Sequence, residues 1–158
     1  MACEAGNSLG AREVMPRQAI VSFYIDSTKE PQHVVLIAML RKLGASLVRD
    51  SRIHAYVQTE DGREYLSSPC SEGMAFDTVG ALFAESKIAA VDAEVDHEGR
   101  AMLFTFDPSY DGQITITILG ECVELPDRMI DFNWYYTFWK NCIGDLVDIA
   151  GVEFSVHA

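Results

Sequence analysis

Phe132-Asn133-Trp134-Tyr135-Tyr136-Thr137-Phe138-Trp139 places six aromatic side chains in eight positions, and its conformation decides the fold. At short range Phe132, Trp134, Tyr136 and Phe138 alternate as they would along a strand. Over a longer window Tyr135, Phe138, Trp139, Cys142, Leu146, Ile149 and Ala150 recur at i, i+3, i+4, i+7, i+11, i+14 and i+15, which is the spacing of one helix face. The longer pattern predicts a helix ended by Gly151, even though Gly144 inside it costs about 1 kcal/mol relative to Ala. Val152, Phe154 and Val156 then alternate as a final strand. With the apolar stripe on the core, Trp134 lies about 100° around the helix. Asn141, Asp145 and Asp148 follow Trp134 at i+7, i+11 and i+14 on that flank, while Tyr136 shares the other with Ile143 and Val147.

Working back from this helix, the sequence reads mainly as strands. Ala19–Ile25 is β-branched and aromatic, as are Ile53–Thr59 and Gln113–Leu119. Glu60-Asp61-Gly62 and His97-Glu98-Gly99 are hairpin turns, joining Ile53–Thr59 to Arg63–Leu66 and Ala89–Asp96 to Arg100–Phe106. Ser46–Val48 is a further short extended piece, and Ser67–Gly73 is predicted as a polar loop. Two more helices are expected. One begins at Pro31, because proline suits the first helical position better than the turn that a Ser27/Glu30 capping box would demand. It runs through Val34–Leu40 to Leu43 and stops at Gly44. The other spans Ala75 to about Ser86.

The fold class is therefore α+β, a mainly antiparallel sheet with two or three helices packed on it. A chain of 158 residues, 49% hydrophobic, suits one core better than two. Residues 1–17 are Gly-, Ala- and charge-rich without periodicity and are expected to form a flexible tail, leaving residues 18–158 as a single domain. No apolar run reaches the roughly 18–20 residues of a membrane span, and no charged-then-apolar leader opens the chain. The expected location is the cytoplasm. Four cysteines, Cys3, Cys70, Cys122 and Cys142, are widely and irregularly spaced, so they are expected as reduced thiols.

Charge is distributed unevenly. Residues 88–158 hold 13 Asp and Glu against 3 Lys and Arg, a balance of −10, whereas residues 1–87 hold 11 against 9, a balance of −2. Such acidity disfavours direct nucleic-acid binding, since phosphates demand Lys and Arg. It suits a basic protein partner. Asp92, Glu94 and Asp96 share one strand face by the period of two, either as an ordinary solvated face or as a ridge for a basic partner. Strand residues two apart are about 6–7 Å apart and converge poorly on one cation. Asp107-x-Ser109-x-Asp111-Gly112 imitates the start of a calcium loop, but Ile118 stands where the bidentate Glu belongs, so it reads as a hairpin loop. His33, His54, His97 and His157 lack metal-ligand spacing. No nucleophile elbow, phosphate loop or dinucleotide fingerprint is present, and no cofactor or metal is expected.

In size, acidity and the run Trp134-Tyr135-Tyr136-Thr137-Phe138-Trp139-Lys140-Asn141 the chain resembles bacterial immunity proteins, which neutralise secreted or contact-delivered toxins. The resemblance is one of type and transfers no functional residue. It implies a non-enzymatic inhibitor that occludes a basic toxin or effector. The candidate partner-binding residues are Asp92, Glu94, Asp96, Trp134, Asn141, Asp145 and Asp148. Two alternatives remain open at this level. One is a phage-type inhibitor imitating nucleic acid. The other is a small-molecule-binding or enzymatic α+β domain using Tyr56, Tyr65 and Cys70.

Overall fold

The computed structural model describes residues 18–26 and 30–157. The tail expected over residues 1–17 and the Ser27 capping position lie outside the described residues. In chain order the elements are β1 (Gln18–Ile25), α1 (Gln32–Leu43), β2 (Val48–Arg49), β3 (Arg52–Thr59), β4 (Gly62–Pro69), α2 (Ala75–Ala84), β5 (Ala90–His97), β6 (Arg100–Asp107), β7 (Gln113–Leu119), α3 (Phe132–Ile143) and β8 (Ile149–His157). All eight strands join one sheet through antiparallel pairs, confirming the α+β class. Across the sheet the order is β8, β1, β7, β6, β5, β3, β4.

The local chemistry explains most boundaries. Pro31 stands just before α1 in an extended conformation, one position ahead of the first helical residue, Gln32, and not at the first helical position expected for it. Gly44 ends the helix at φ 67°, a left-handed position natural to glycine. His97 pairs with Arg100, so Glu98 (φ 54°) and Gly99 (φ 78°) form a two-residue turn whose twist matches the strands. β4 extends to Pro69, beyond the expected start of a loop at Ser67. Arg52 on β3 holds this extension, donating from Nε to Ser67 Oγ at 2.7 Å and from Nη2 to the Ser67 carbonyl at 2.9 Å.

One irregularity shapes the sheet. β4 occupies one side of β3 along its length, from Arg52↔Pro69 to Thr59↔Gly62. The other side of β3 is shared. β2 takes its first residues through Val48↔Ile53 and Arg49↔Arg52, and β5 takes Ala55↔Val91 and Tyr56↔Ala90. Ser46 then exchanges two backbone hydrogen bonds of 2.8 Å with Glu94. The Ser46–Arg49 segment is thus wedged between β3 and β5 where those strands diverge.

The helices bury one face of the sheet. Ala19, Val21, Phe23 and Ile25 of β1, Phe104 and Phe106 of β6, and Ile114, Ile116 and Ile118 of β7 point into this core. Val35, Leu36, Met39 and Leu40 of α1, Val79 and Phe83 of α2, and Tyr135, Trp139 and Ile143 of α3 meet them. Trp139 is fully buried, edge-on to Phe104 and Phe106 with ring centroids 4.8 and 5.3 Å away. Cys70, Cys122 and Cys142 are free thiols. Among the described residues no helix is long and apolar enough to cross a membrane.

Candidate binding surfaces

The face of the sheet away from the helices is polar, and strand register arranges it in rows. One row follows from pairing Asp92 with Thr105, and Thr105 in turn with Thr117, and His54 lines the same small cavity as Asp92. Beyond it two further rows run, Tyr65, Tyr56 and Ala90 across β4, β3 and β5, and Asp107, Thr115, Ser22 and Glu153 across β6, β7, β1 and β8. The expected carboxylate ridge lies here but divides. Glu94 and Asp96 are exposed; Asp92 is only 5% exposed. Asp92 accepts a 2.6 Å hydrogen bond from Thr105 Oγ1 and lies 3.9 Å from the Arg49 guanidinium. Burial pushes its carboxyl above the ordinary aspartate value, and Thr105 and Arg49 offset this only in part. Asp92 is therefore an internal, paired carboxylate and not part of an outer ridge. The wedge that supplies Arg49 depends on long-range pairing, which strand periodicity does not reveal.

Beside Asp92 the two tyrosines of the enzymatic alternative do meet. His54 Nε2 lies 3.0 Å from the Arg49 carbonyl, which can only accept. That nitrogen must carry the proton, so in the neutral ring Nδ1 accepts from the Tyr65 hydroxyl. The Tyr56 phenol is raised by burial and then by the charge of Asp92. The rings of Tyr56 and Tyr65 are 5.6 Å apart. Cys70 sits elsewhere, at the end of β4, with its thiol 3.8 Å from Thr78 Oγ1. The space over Arg49, His54 and Asp92 is only ≈ 10 Å³, room on the scale of a single water and not of a substrate. Among the described residues no group of three or more His, Cys, Asp or Glu is placed to hold a metal ion.

The aromatic segment is helical, but α3 ends at Ile143 and not at Gly151. Asp131 caps it, accepting from the Trp134 backbone N–H at 3.0 Å; an Asp directly before the apolar run was the available signal. At the other end a Cβ on Gly144 would lie 2.8 Å from the Lys140 carbonyl. The chain turns there, with the N–H groups of Leu146 and Val147 both donating to the Ile143 carbonyl. Leu146 is consequently 39% exposed, outside the expected core stripe. Ile149 and Ala150 open β8.

This early end rearranges the flank expected on one helix. Trp134 stacks on Phe138 (5.1 Å, 9°) and meets His97 of β5 edge-on at 5.3 Å. It locks α3 to the β5–β6 hairpin and is half-buried, on the opposite side of the sheet from Glu94 and Asp96. Asn141, Asp145 and Asp148 are brought together without it. They line an open groove of ≈ 540 Å³ between the last turn of α3 and β8, together with Tyr136, Lys140 and residues Ile149–Val152. Asp145 pairs with Lys42 of α1, which holds its carboxyl below the usual value. Lys140 reaches over the Tyr136 ring at 5.5 Å. The Asp148 carbonyl accepts from the Asp26 N–H at 3.0 Å, fixing the turn against the end of β1.

A second groove, ≈ 440 Å³, lies between α1, α2 and the β6–β7 loop. Its main polar group is already engaged. The Gln32 carboxamide donates to the carbonyls of Pro108, Tyr110 and Gln113 at 3.1, 2.6 and 2.8 Å and accepts from the Gly112 N–H at 2.5 Å. Gln32 thereby pins the loop that imitated a calcium site.

No protein-family model, curated protein or solved structure matches the chain.

Proposed function

We propose that the protein is a non-enzymatic binding protein that occludes a basic protein partner, contacting it through the acidic turn and groove around Asn141, Asp145 and Asp148. The carrying observation is that these three side chains converge on the rim of one open groove. Their convergence survives the loss of the helical register that first suggested it. The surrounding sequence adds a field of the right sign, since residues 88–158 hold 13 acidic against 3 basic side chains. A field of that kind steers a basic partner toward the surface and makes association salt-dependent. Glu94 and Asp96 lie four strands away from β8, about 19 Å across the sheet. They also face the other side of the sheet from α3, so they form an acidic surface separate from the groove. As an immunity protein, the chain would act by covering the working surface of a toxin or effector.

The test is affinity capture from the native cell, followed by binding measurements on the purified partner. A basic protein is expected, bound at least tenfold more weakly by Asp145→Lys/Asp148→Lys, with a flatter salt dependence. Both aspartates are exposed, so the reversals should leave folding intact. Recovery of a partner whose affinity is unchanged by the double variant would remove this surface from the interface.

A further inference from the structure

We infer that the outer edge of β8 is a strand-addition site for an extended basic segment of the partner, which would pair as the next strand of the sheet. The inference rests on the basic-partner reading and specifies how the contact is made.

β8 is nine residues long and pairs only with β1 among the described strands. Alternate residues of an edge strand turn their backbone N–H and C=O groups outward, which is a template for another chain. Proteins usually blunt such edges with charge, proline or a covering element. β4, at the other end of the sheet, is blunted by Arg63, Glu64 and Pro69. β8 has no proline, and Glu153 is its only Asp, Glu, Lys or Arg.

The groove runs along this edge. Four consecutive β8 residues, Ile149–Val152, line it. Consecutive residues alternate between sheet faces, so it is the backbone edge that they share with the groove. Ala150 and Gly151 keep the approach free of bulk, and a Cβ on Gly151 would meet nothing nearer than Tyr24 Cδ2 at 4.0 Å. α3 forms the opposite wall through Tyr136 and Asn141. A strand edge facing a helix is the arrangement that peptide-binding domains use for strand addition, where backbone bonds supply affinity and side-chain pockets supply specificity.

Charge selects the occupant. Asp148 and Asp145, the latter shared with Lys42, stand at one end of the groove with Lys140 on the α3 wall. Glu153 lies further along the strand on its other face, where it accepts from the Tyr24 hydroxyl at 2.8 Å. Asp148 has no ion-pair partner among the described residues. A second copy of the chain fits poorly, because two bodies of net charge −12 would be brought edge to edge with their Glu153 side chains near each other.

The experiment uses the full chain and three probes: the peptide acetyl-Lys-Val-Lys-Val-Lys-Val-Lys-amide, the same peptide N-methylated at every residue so that neither edge can donate, and its Glu-for-Lys counterpart. Affinities come from calorimetry and the contact from amide hydrogen exchange. The expected result is binding of the lysine peptide with new protection within Ile149–His157. N-methylation should weaken it at least tenfold because it removes backbone donors at unchanged charge, and the glutamate peptide should not bind. Equal binding of the methylated peptide would mean charge attraction alone and would overturn strand addition while leaving the basic-partner reading intact. Protection outside β8, or no binding of any probe, would also overturn it, and the charge-reversal test on the captured partner would still judge the broader reading separately. Protection of β8 without peptide, growing with protein concentration in step with dimer sedimentation, would assign the edge to a second copy and likewise overturn the proposal.

Discussion

β4 and β8 terminate the same sheet, yet β4 carries two charged residues and a proline in eight positions, while β8 carries a single carboxylate in nine. The difference extends to what stands behind each strand. β4 is tied inward by polar groups: Arg52 grips Ser67, and Arg63 reaches Asp107 at 2.5 Å and Ser109 at 3.3 Å. β8 is held by its long register with β1 and by apolar contacts such as Phe132 on Phe154, with ring centroids 4.6 Å apart. An edge closed by charge can face water without recruiting a partner. An edge backed by a packed helix, with no further strand beside it among the described residues, is a template for another strand.

The comparison can be broken most severely at α3, the wall that makes the β8 edge into a groove. Trp139→Ala removes the buried ring between Phe104 and Phe106 and should cost about 3–5 kcal/mol, read from urea unfolding, with loss of groove binding in whatever remains folded. An unchanged midpoint would mean that α3 is not anchored by this residue.

At the closed edge, Arg63→Ala leaves Asp107, which is only 7% exposed, to Ser109 alone. A loss of about 1–3 kcal/mol is expected, together with faster amide exchange in β4 and none in β8. Exchange rising equally at both edges would show that the two are not independently held.

The smallest effect sharpens the open edge. Gly151 lies outside the left-handed region and has room for a Cβ, so Gly151→Ala should stabilise the fold by about 0.4–1 kcal/mol by restricting the unfolded chain. A destabilised variant by the same unfolding assay would indicate that the strand needs glycine for a reason other than space.

How far the sequence could be read follows from the range of the interactions involved. β1, the Gly44 stop of α1 and the turns at Gly62 and Gly99 are set by residues within a few positions, and they were legible. The length of α3 was not, because Leu146, Ile149 and Ala150 keep helical spacing by coincidence while belonging to a turn and a strand. Gly144 was the better signal, outweighed by a periodic window that ran across two elements. Asn141, Asp145 and Asp148 were assembled on a helix face that does not exist, yet the turn gathers them at one groove. Trp134 and Asp92 sit deeper than the pattern implied for another reason. Their partners, His97 and Arg49, come from distant strands and from the Ser46–Arg49 wedge, and no local pattern announces either.

The position of β1 also has a consequence for how the chain is made. β1 lies between β7 and β8, with Ala19 opposite both Ile118 and Val156. During synthesis this early strand must wait for the latest strand before both of its sides are filled. Contacts of such sequence separation form slowly, and an unpaired strand carrying Val21 and Phe23 is prone to wrong associations meanwhile. The nascent chain would therefore depend most on chaperones just before β8 emerges, and a ribosome stalled short of Ile149 would hold a sheet whose exposed border is β1.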